Sequence, residues 1–178
     1  MTKVKFPDDQ QQAAVLVILG RSQDTNKEVE LQELAAVTEL YIVGRLHKAN
    51  VAKLTFTHEG ECWVNVKMSE GKVRDLSVIG KMAYLEKLAL VYQPLSDPSP
   101  LSGLVMLNEL YLSGDRSLTN LKGLKDLPRL ETLHLEHSGI RDLSPLGDLP
   151  SLRKVTVSAD MLPLTLPAER AFTLALTP

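Results

Sequence analysis

Two groups of residues carry side chains that could do chemistry, and the first lies between His58 and Cys62. It contains His58, Glu59, Glu61 and Cys62. A thiolate, an imidazole and carboxylates can bind zinc, and a cysteine beside a histidine base can act as a nucleophile. The segment nevertheless has no second cysteine and no histidine pair at a ligand spacing. We therefore expect a polar loop with one thiol, and an enzyme that uses the His58–Cys62 loop is the less favoured alternative.

The second group surrounds His134. Its neighbours in the chain are leucines, and the carboxylates that could orient its ring are Glu109 and Glu136. A general base needs such a partner and a substrate within hydrogen-bond reach. No glycine-rich phosphate-binding loop accompanies it. We expect His134 to be solvated or to contact a partner, so the sequence predicts no catalytic residue, no cofactor and no metal ligand.

Composition and charge limit the class of protein. The chain has 178 residues, of which 44% are hydrophobic and 4% aromatic, enough for one domain with an aliphatic core. A formal net charge of −2 gives no reason to expect a nucleic-acid partner. The opening MTKVKFPDDQQQ does not resemble a signal peptide, and no apolar stretch approaches the roughly 20 residues that cross a membrane. We expect a cytoplasmic protein without membrane contact, or a secreted one if a leader precedes this sequence.

The hydrophobic residues repeat at a fixed period. Similar segments are separated by 22, 22, 23 and 22 residues, and they begin at Trp63, Leu85, Leu107, Leu130 and Leu152. A second apolar series keeps the same step, at Val73, Leu95, Leu118, Ile140 and Leu162. Two series with one period indicate leucine-rich repeats, whose units have about 20–29 residues.

Each unit contains a strand and a returning segment. Leu133 and Leu135 alternate with polar residues, which predicts a half-buried strand. In the returning segment, apolar residues three apart and Pro145 predict a short 3₁₀ turn. One unit cannot bury its leucines alone, so stacked units share a core and their strands form a parallel sheet. Strands are predicted near residues 65–68, 87–91, 109–113, 132–136 and 154–158, and Leu174 and Leu176 could form a last, short strand.

The stretch LETLHLEHSGIRDLSPLGDLPSL resembles the 22-residue repeat of internalin-type bacterial leucine-rich repeat proteins. It is also similar to repeats of a protein phosphatase regulatory subunit. The opening FPDDQQQAAVLVILG resembles the helical cap that precedes such repeats, with Asp8 or Asp9 at its start and Gly20 at its end. The resemblance implies an α/β fold, a right-handed solenoid with a concave parallel β-sheet and short helical or 3₁₀ segments on the convex side. The asparagine of the family's turn is replaced here by Gly71, Gln93, Asp115, Ser138 and Asp160.

Four regions follow from this pattern. They are an N-terminal helical cap (residues 1–36), an atypical first repeat with an inserted strand (37–62), regular leucine-rich repeats (63–161) and a terminal repeat or cap (162–178). Two alternatives stay open. Residues 44–62 could hold an inserted strand or hairpin or an extra atypical repeat, and the C-terminal end could be capped or open.

The resemblance favours a non-catalytic protein-binding module, a scaffold, regulator or recognition domain that uses the concave sheet. At the centre of that surface, Tyr111 and His134 are expected to be neighbours about 5 Å apart. The predicted contacts with a protein partner are Tyr41, Lys67, Lys87, Glu109, Tyr111, Thr132, His134, Glu136, Lys154 and Thr156. The alternative is a structural solenoid that forms homo-oligomers through its C-terminal edge.

Overall fold

A computed structural model describes residues 2–21, 23, 28–44 and 70–178. These residues form one helix, α1 (Asp9–Ile18), and six strands: β1 (Glu39–Val43), β2 (Lys87–Val91), β3 (Glu109–Tyr111), β4 (Thr132–His134), β5 (Lys154–Ser158) and β6 (Thr173–Thr177). Short 3₁₀ turns lie at Leu31–Ala36, Ile79–Lys81, Ser99–Gly103, Lys122–Leu124, Ser144–Leu146 and Ala159–Met161. The six strands form one sheet in sequence order, and every neighbouring pair is parallel.

The register of the sheet follows the sequence period. Lys87 pairs with Glu109, Glu109 with Thr132, and Thr132 with Lys154. These partners are 22, 23 and 22 residues apart, so equivalent positions of successive repeats lie side by side. This register places the leucines of one repeat against the leucines of the next.

The predicted strands from residue 87 onward are confirmed, with shorter bounds for β3 and β4 than the sequence suggests. In both repeats a left-handed residue follows soon after the strand, Gly114 with φ 80° and His137 with φ 57°. The last strand is confirmed as well. Leu174 of β6 pairs with Val155 of β5, at the separation of 19 residues that the sequence indicates.

The strand beside β2 is β1, and this corrects the sequence analysis. The period assigns that place to residues 65–68, but β1 and β2 pair along five residues, from Glu39 with Lys87 to Val43 with Val91. Direct pairing leaves no place for another strand between β1 and β2, so the predicted position of residues 65–68 beside β2 is wrong. Residues 65–68 belong to the range 45–69, which lies outside the described part of the chain, so a strand within this range stays a prediction.

Stacked aliphatic side chains form the core on one side of the sheet. Leu88, Leu110, Leu133 and Val155 occupy the same position in four successive strands, and all are fully buried. The returning segments close the other side of this core with buried leucines, among them Leu101, Leu124 and Leu146. Pro145 lies in the first turn of the Ser144–Leu146 segment, as predicted, where its missing amide proton is not needed.

Helix α1 lies where the sequence places it. The Asp8 carboxylate accepts a hydrogen bond from the Gln11 backbone amide at 2.8 Å, which satisfies one of the free amides at the start of the helix. The helix ends before Gly20, whose φ of 70° is the left-handed conformation that commonly terminates helices. Val15 and Leu16 are buried and join the hydrophobic core of the repeats.

The turn after β2 depends on a close fit between Gly71 and Gln93. A Cβ on Gly71 would lie 2.0 Å from Gln93 Oε1, so any other residue would displace the buried Gln93 side chain from this position. Gln93 accepts a hydrogen bond from the Val73 amide at 3.2 Å and donates to the Gly44 carbonyl at 3.1 Å. Gln10 of α1 accepts from the Lys72 amide at 3.0 Å. Two glutamines therefore supply the backbone contacts that Gly71, at the family's asparagine position, cannot make.

In the next repeat the Asp115 side chain makes the hydrogen bonds to the backbone of the turn. Its carboxylate accepts from the Leu95 amide at 2.5 Å and from the Ser117 amide at 2.9 Å. Burial raises the pKa of Asp115 from 3.8 to about 6, although these backbone amides favour the ionised form and offset part of the increase. The exposed Asp142 differs, because its hydrogen bonds with Ser144 lower its pKa.

Truncation of the core tests the stacking of the repeats. Leu133→Ala should lower the free energy of unfolding by about 2–5 kcal/mol, since it removes buried contacts on both sides of β4. Denaturant unfolding followed by circular dichroism measures this loss. Val105→Ala, at a side chain that is 48% exposed, is the control and should stay within about 0.5 kcal/mol. A loss below about 1 kcal/mol for Leu133→Ala would show that this leucine is not in the core.

The pH dependence of stability tests the burial of Asp115. An unfolded aspartate loses its proton near pH 4, whereas the folded one keeps it to about pH 6. Its contribution to stability is therefore fully present below about pH 4 and is lost as the pH rises through about 6. Relative to an Asp115→Asn variant, the wild type should lose stability over this range. Asp142→Asn, the control, should leave the pH dependence nearly unchanged over this range, because the lowered pKa of Asp142 affects stability only below about pH 4, where the sign is the opposite. A flat difference for Asp115→Asn between about pH 4 and 6 would contradict the raised pKa.

Candidate protein-binding face

A column of side chains runs across the centre of the concave face, which is the side of the sheet away from the leucine core. Its members pair in register from strand to strand: Tyr41, Ala89, Tyr111, His134, Thr156 and Ala175. The rings of Tyr111 and His134 are stacked, with centroids 4.2 Å apart and planes inclined by 5°. The predicted contact between these two residues is confirmed.

The centre of this column is not exposed to solvent. The exposed fractions are 4% for Tyr111, 2% for His134 and 1% for Thr156, and Glu136 is buried as well. The expectation of a solvated His134 on an open surface is wrong. The physical reason is lateral packing, because Tyr111 belongs to a second hydrophobic cluster with Val43, Ala89 and Val91. Alternation in the sequence fixes the face of a strand but not whether that face is open.

A polar group lies beside the stacked rings. The Nδ1 atom of His134 is 3.3 Å from Glu136 Oε1, and the Ser113 hydroxyl donates to Glu136 Oε2 at 2.5 Å. Because the carboxylate lies between the other two groups, the serine proton is held by Glu136 rather than by the imidazole. In a serine–histidine–carboxylate triad the order is the reverse, with the imidazole next to the hydroxyl and the carboxylate behind it. The arrangement is therefore not such a triad, and its hydrogen bonds hold the three side chains in place.

Two tyrosine–glutamate pairs lie on the same face. The Tyr111 hydroxyl donates to Glu109 Oε1 at 2.5 Å, and the Tyr41 hydroxyl donates to Glu39 Oε2 at 3.0 Å. Burial raises the pKa of both tyrosines above the usual value, and the neighbouring carboxylates raise it further. Both hydroxyls consequently remain protonated donors at neutral pH, which fixes the two glutamates at the edge of the face.

That edge stays accessible, and we call it the rim. It consists of the first residues of β1 to β5, Glu39, Lys87, Glu109, Thr132 and Lys154, with the residues that precede β2 to β5, Glu86, Asn108, Glu131 and Arg153. All nine are at least partly exposed. Ion pairs link neighbouring repeats along it, from Lys87 to Glu109 at 3.4 Å and from Arg153 to Glu131 at 3.7 Å.

The structure thus divides the predicted contact residues into two groups. Lys87, Glu109, Thr132 and Lys154 lie on the rim, and Tyr41 is partly exposed beside it. Tyr111, His134, Glu136 and Thr156 are buried behind it. Neither Ser113 nor Glu131 was predicted from the sequence to be a site residue. The two-residue alternation already placed Ser113 on this face, but its bond to Glu136 depends on the register between β3 and β4.

Several predictions concern residues outside the described part. Lys67, His58 and Cys62 lie there, so the proposed thiol loop stays a prediction. Within residues 2–21, 23, 28–44 and 70–178, no three histidine, cysteine or acidic side chains are arranged to hold a metal ion. None of the helices in these ranges has the length and hydrophobicity that a membrane span requires.

A solved structure with a similar fold supports the architecture. A Listeria monocytogenes internalin superimposes with a TM-score of 0.65 at 24% sequence identity, over 97% of this chain and 44% of the internalin chain. The fold is a leucine-rich repeat solenoid. A second Listeria structure, internalin C2, gives a TM-score of 0.49 at 20% identity, over 97% of this chain and 94% of that one.

One curated protein sequence also resembles the solenoid. Human cilia- and flagella-associated protein 410 is 32% identical over 119 residues, which are 62% of this chain and 44% of that protein. The solenoid therefore spans less than half the length of this relative. No protein-family profile matches the chain.

Because Tyr111 is buried, its truncation should destabilise the solenoid. We expect Tyr111→Ala to lower the free energy of unfolding by about 3 kcal/mol or more, the range for buried aromatic truncations. A double-mutant cycle with His134→Ala should give a coupling of about 0.5–1.5 kcal/mol, as ring contacts do. Additive effects within about 0.3 kcal/mol would mean that the two rings do not interact.

Proposed function

We propose that this solenoid is a non-catalytic protein-binding module and that its partner contacts the rim. The observation that carries the proposal is the contrast between the two parts of the concave face. The central column is closed by side-chain packing, whereas the charged residues beside it are accessible in every repeat from β1 to β5. A partner can reach the rim without displacing Tyr111 or His134.

The charges of the rim suit a protein partner. Positive and negative groups alternate along it, with Glu39, Lys87 and Glu109 in the first three strands. A surface that binds nucleic acid would instead present clustered cations to the phosphates. Exposed ion pairs such as Lys87 with Glu109 contribute little to stability, so both groups can exchange this contact for one with a partner at small cost. Mixed charge sets orientation and association rate in protein complexes.

The buried residues act indirectly in this proposal. Tyr111 donates to Glu109 and thereby holds a rim carboxylate in one position. His134 packs against Tyr111 and restricts its ring. Such restriction lowers the side-chain entropy that is lost when a partner binds. Tyr111 and His134 are therefore positioning residues, while Lys87, Glu109, Thr132 and Lys154 make the contacts.

Two finer assignments accompany this function. We propose that α1 covers the first strand in the manner of an internalin-type cap, supported by the packing of Val15 and Leu16 against the core. The human relative is a cilia- and flagella-associated protein. We propose a scaffold or recognition role in a protein assembly for this solenoid as well. The order of Ser113, Glu136 and His134, which is the reverse of a catalytic triad, supports a non-catalytic role.

Reversal of charge on the rim tests this function. Lys87→Glu combined with Lys154→Glu should weaken binding of a captured protein partner at least about tenfold, equivalent to about 1.4 kcal/mol. The partner is first identified by cross-linking and mass spectrometry, and its affinity is then measured by calorimetry. The matched control is Lys122→Glu combined with Lys125→Glu, at exposed lysines of the convex side. Loss of binding in the control, with the rim variant unchanged, would place the interface on the other side.

A further inference from the structure

The outer edge of β6 has the properties of a strand-pairing site. β6 pairs with β5 on one side and, among the described residues, with no strand on the other. Residues 161–168 and 171–178 contain no charged side chain, although 24% of the whole chain is charged. Soluble proteins commonly protect such an edge with a lysine, an internal proline or a bulge. Within β6, Thr173–Thr177, none of these is present.

The sequence of this edge is self-complementary. β6 has the sequence TLALT, which is the same in both directions about Ala175. In an antiparallel pair centred on Ala175, each threonine faces a threonine of the partner copy, and Leu174 faces Leu176. We propose that β6 pairs with β6 of a second copy about a two-fold axis at Ala175, so that two solenoids share one continuous sheet.

The backbone has the correct groups for this pairing. The Thr173 amide donates to the Arg153 carbonyl of the preceding segment at 2.8 Å. Successive residues of a strand direct their amides to opposite sides, so the amides of Leu174 and Leu176 point away from β5. Two leucines that face each other across the axis therefore exchange both of their hydrogen bonds. Ala175 then forms the closer pair at the axis, where its small side chain meets its own counterpart.

Burial of apolar surface favours the same arrangement. Leu174 and Leu176 pair with Val155 and Val157, so they lie on the side of the leucine core. Leu176 is 56% exposed at this edge. Pairing with Leu174 of the second copy would cover it, because facing residues on antiparallel strands lie about 4.5–5.5 Å apart. The contact extends the core of each solenoid across the axis.

Sedimentation equilibrium of the full chain tests the dimer. At concentrations up to about 1 mM, the mass should rise from 19.7 kDa toward twice that value. Leu176→Lys should return the protein to a monomer over this range. The matched control is Leu31→Lys, at a leucine that is 45% exposed near the other end of the sheet, and it should still dimerise. Circular dichroism verifies that both variants are folded.

The position of the axis is tested by a charge exchange at Ala175. Ala175→Lys alone and Ala175→Asp alone each place like charges opposite each other and should prevent association. A mixture of the two variants should restore a dimer that contains one chain of each kind. The proposal fails if the wild type stays monomeric throughout, if Leu176→Lys dimerises like the control, or if the mixture does not associate. These outcomes are independent of the rim and of any partner bound there.

Discussion

Burial of leucines between repeats is the constraint on which the rest of this structure depends. No single repeat encloses its own apolar residues, so Leu110 is buried only because Leu88 and Leu133 lie beside it in the neighbouring strands. The parallel register must therefore hold from β1 to β6. A slip of one residue in one strand would turn its leucines to the opposite face and break the row on both sides. The glutamine and aspartate contacts in the turns secure this alignment where the chain leaves the sheet.

The same alignment explains the concave face. Strands about 4.8 Å apart also stack the side chains on the side away from the core. Where those side chains are flat rings, as in Tyr111 and His134, they pack face to face and exclude solvent. Polar groups beside them then form hydrogen bonds with one another, as Ser113 and Glu136 do. We propose that recognition falls instead to the strand starts, where charged side chains remain accessible.

The sequence predicts the repeating part of the fold because its signal is physical and periodic. The spacing of the leucines predicts the strands from Lys87 onward and the register between them. Asp8 and Gly20 predict where α1 begins and ends. The leucine spacing did not predict that β1 lies directly beside β2. Leu40 and Leu88 are 48 residues apart, which is close to two repeat lengths, so the period allowed a strand between them. Burial of Tyr111 was also missed, because alternation contains no information on lateral packing. The fit of Gln93 over Gly71 joins residues 22 apart and required the register first.

Packing closes the middle of the concave face, and for this reason we propose that binding falls to the rim. Proton NMR of the His134 ring tests it most directly, with the signal assigned by its loss in a His134→Gln variant. A tyrosine ring stacked at 4.2 Å should shift the His134 ring protons upfield from the position of a free histidine. The shift should disappear in Tyr111→Leu while the protein stays folded. Ring protons of His134 at the free-histidine position in the wild type would show that the column is open, and the account would be wrong.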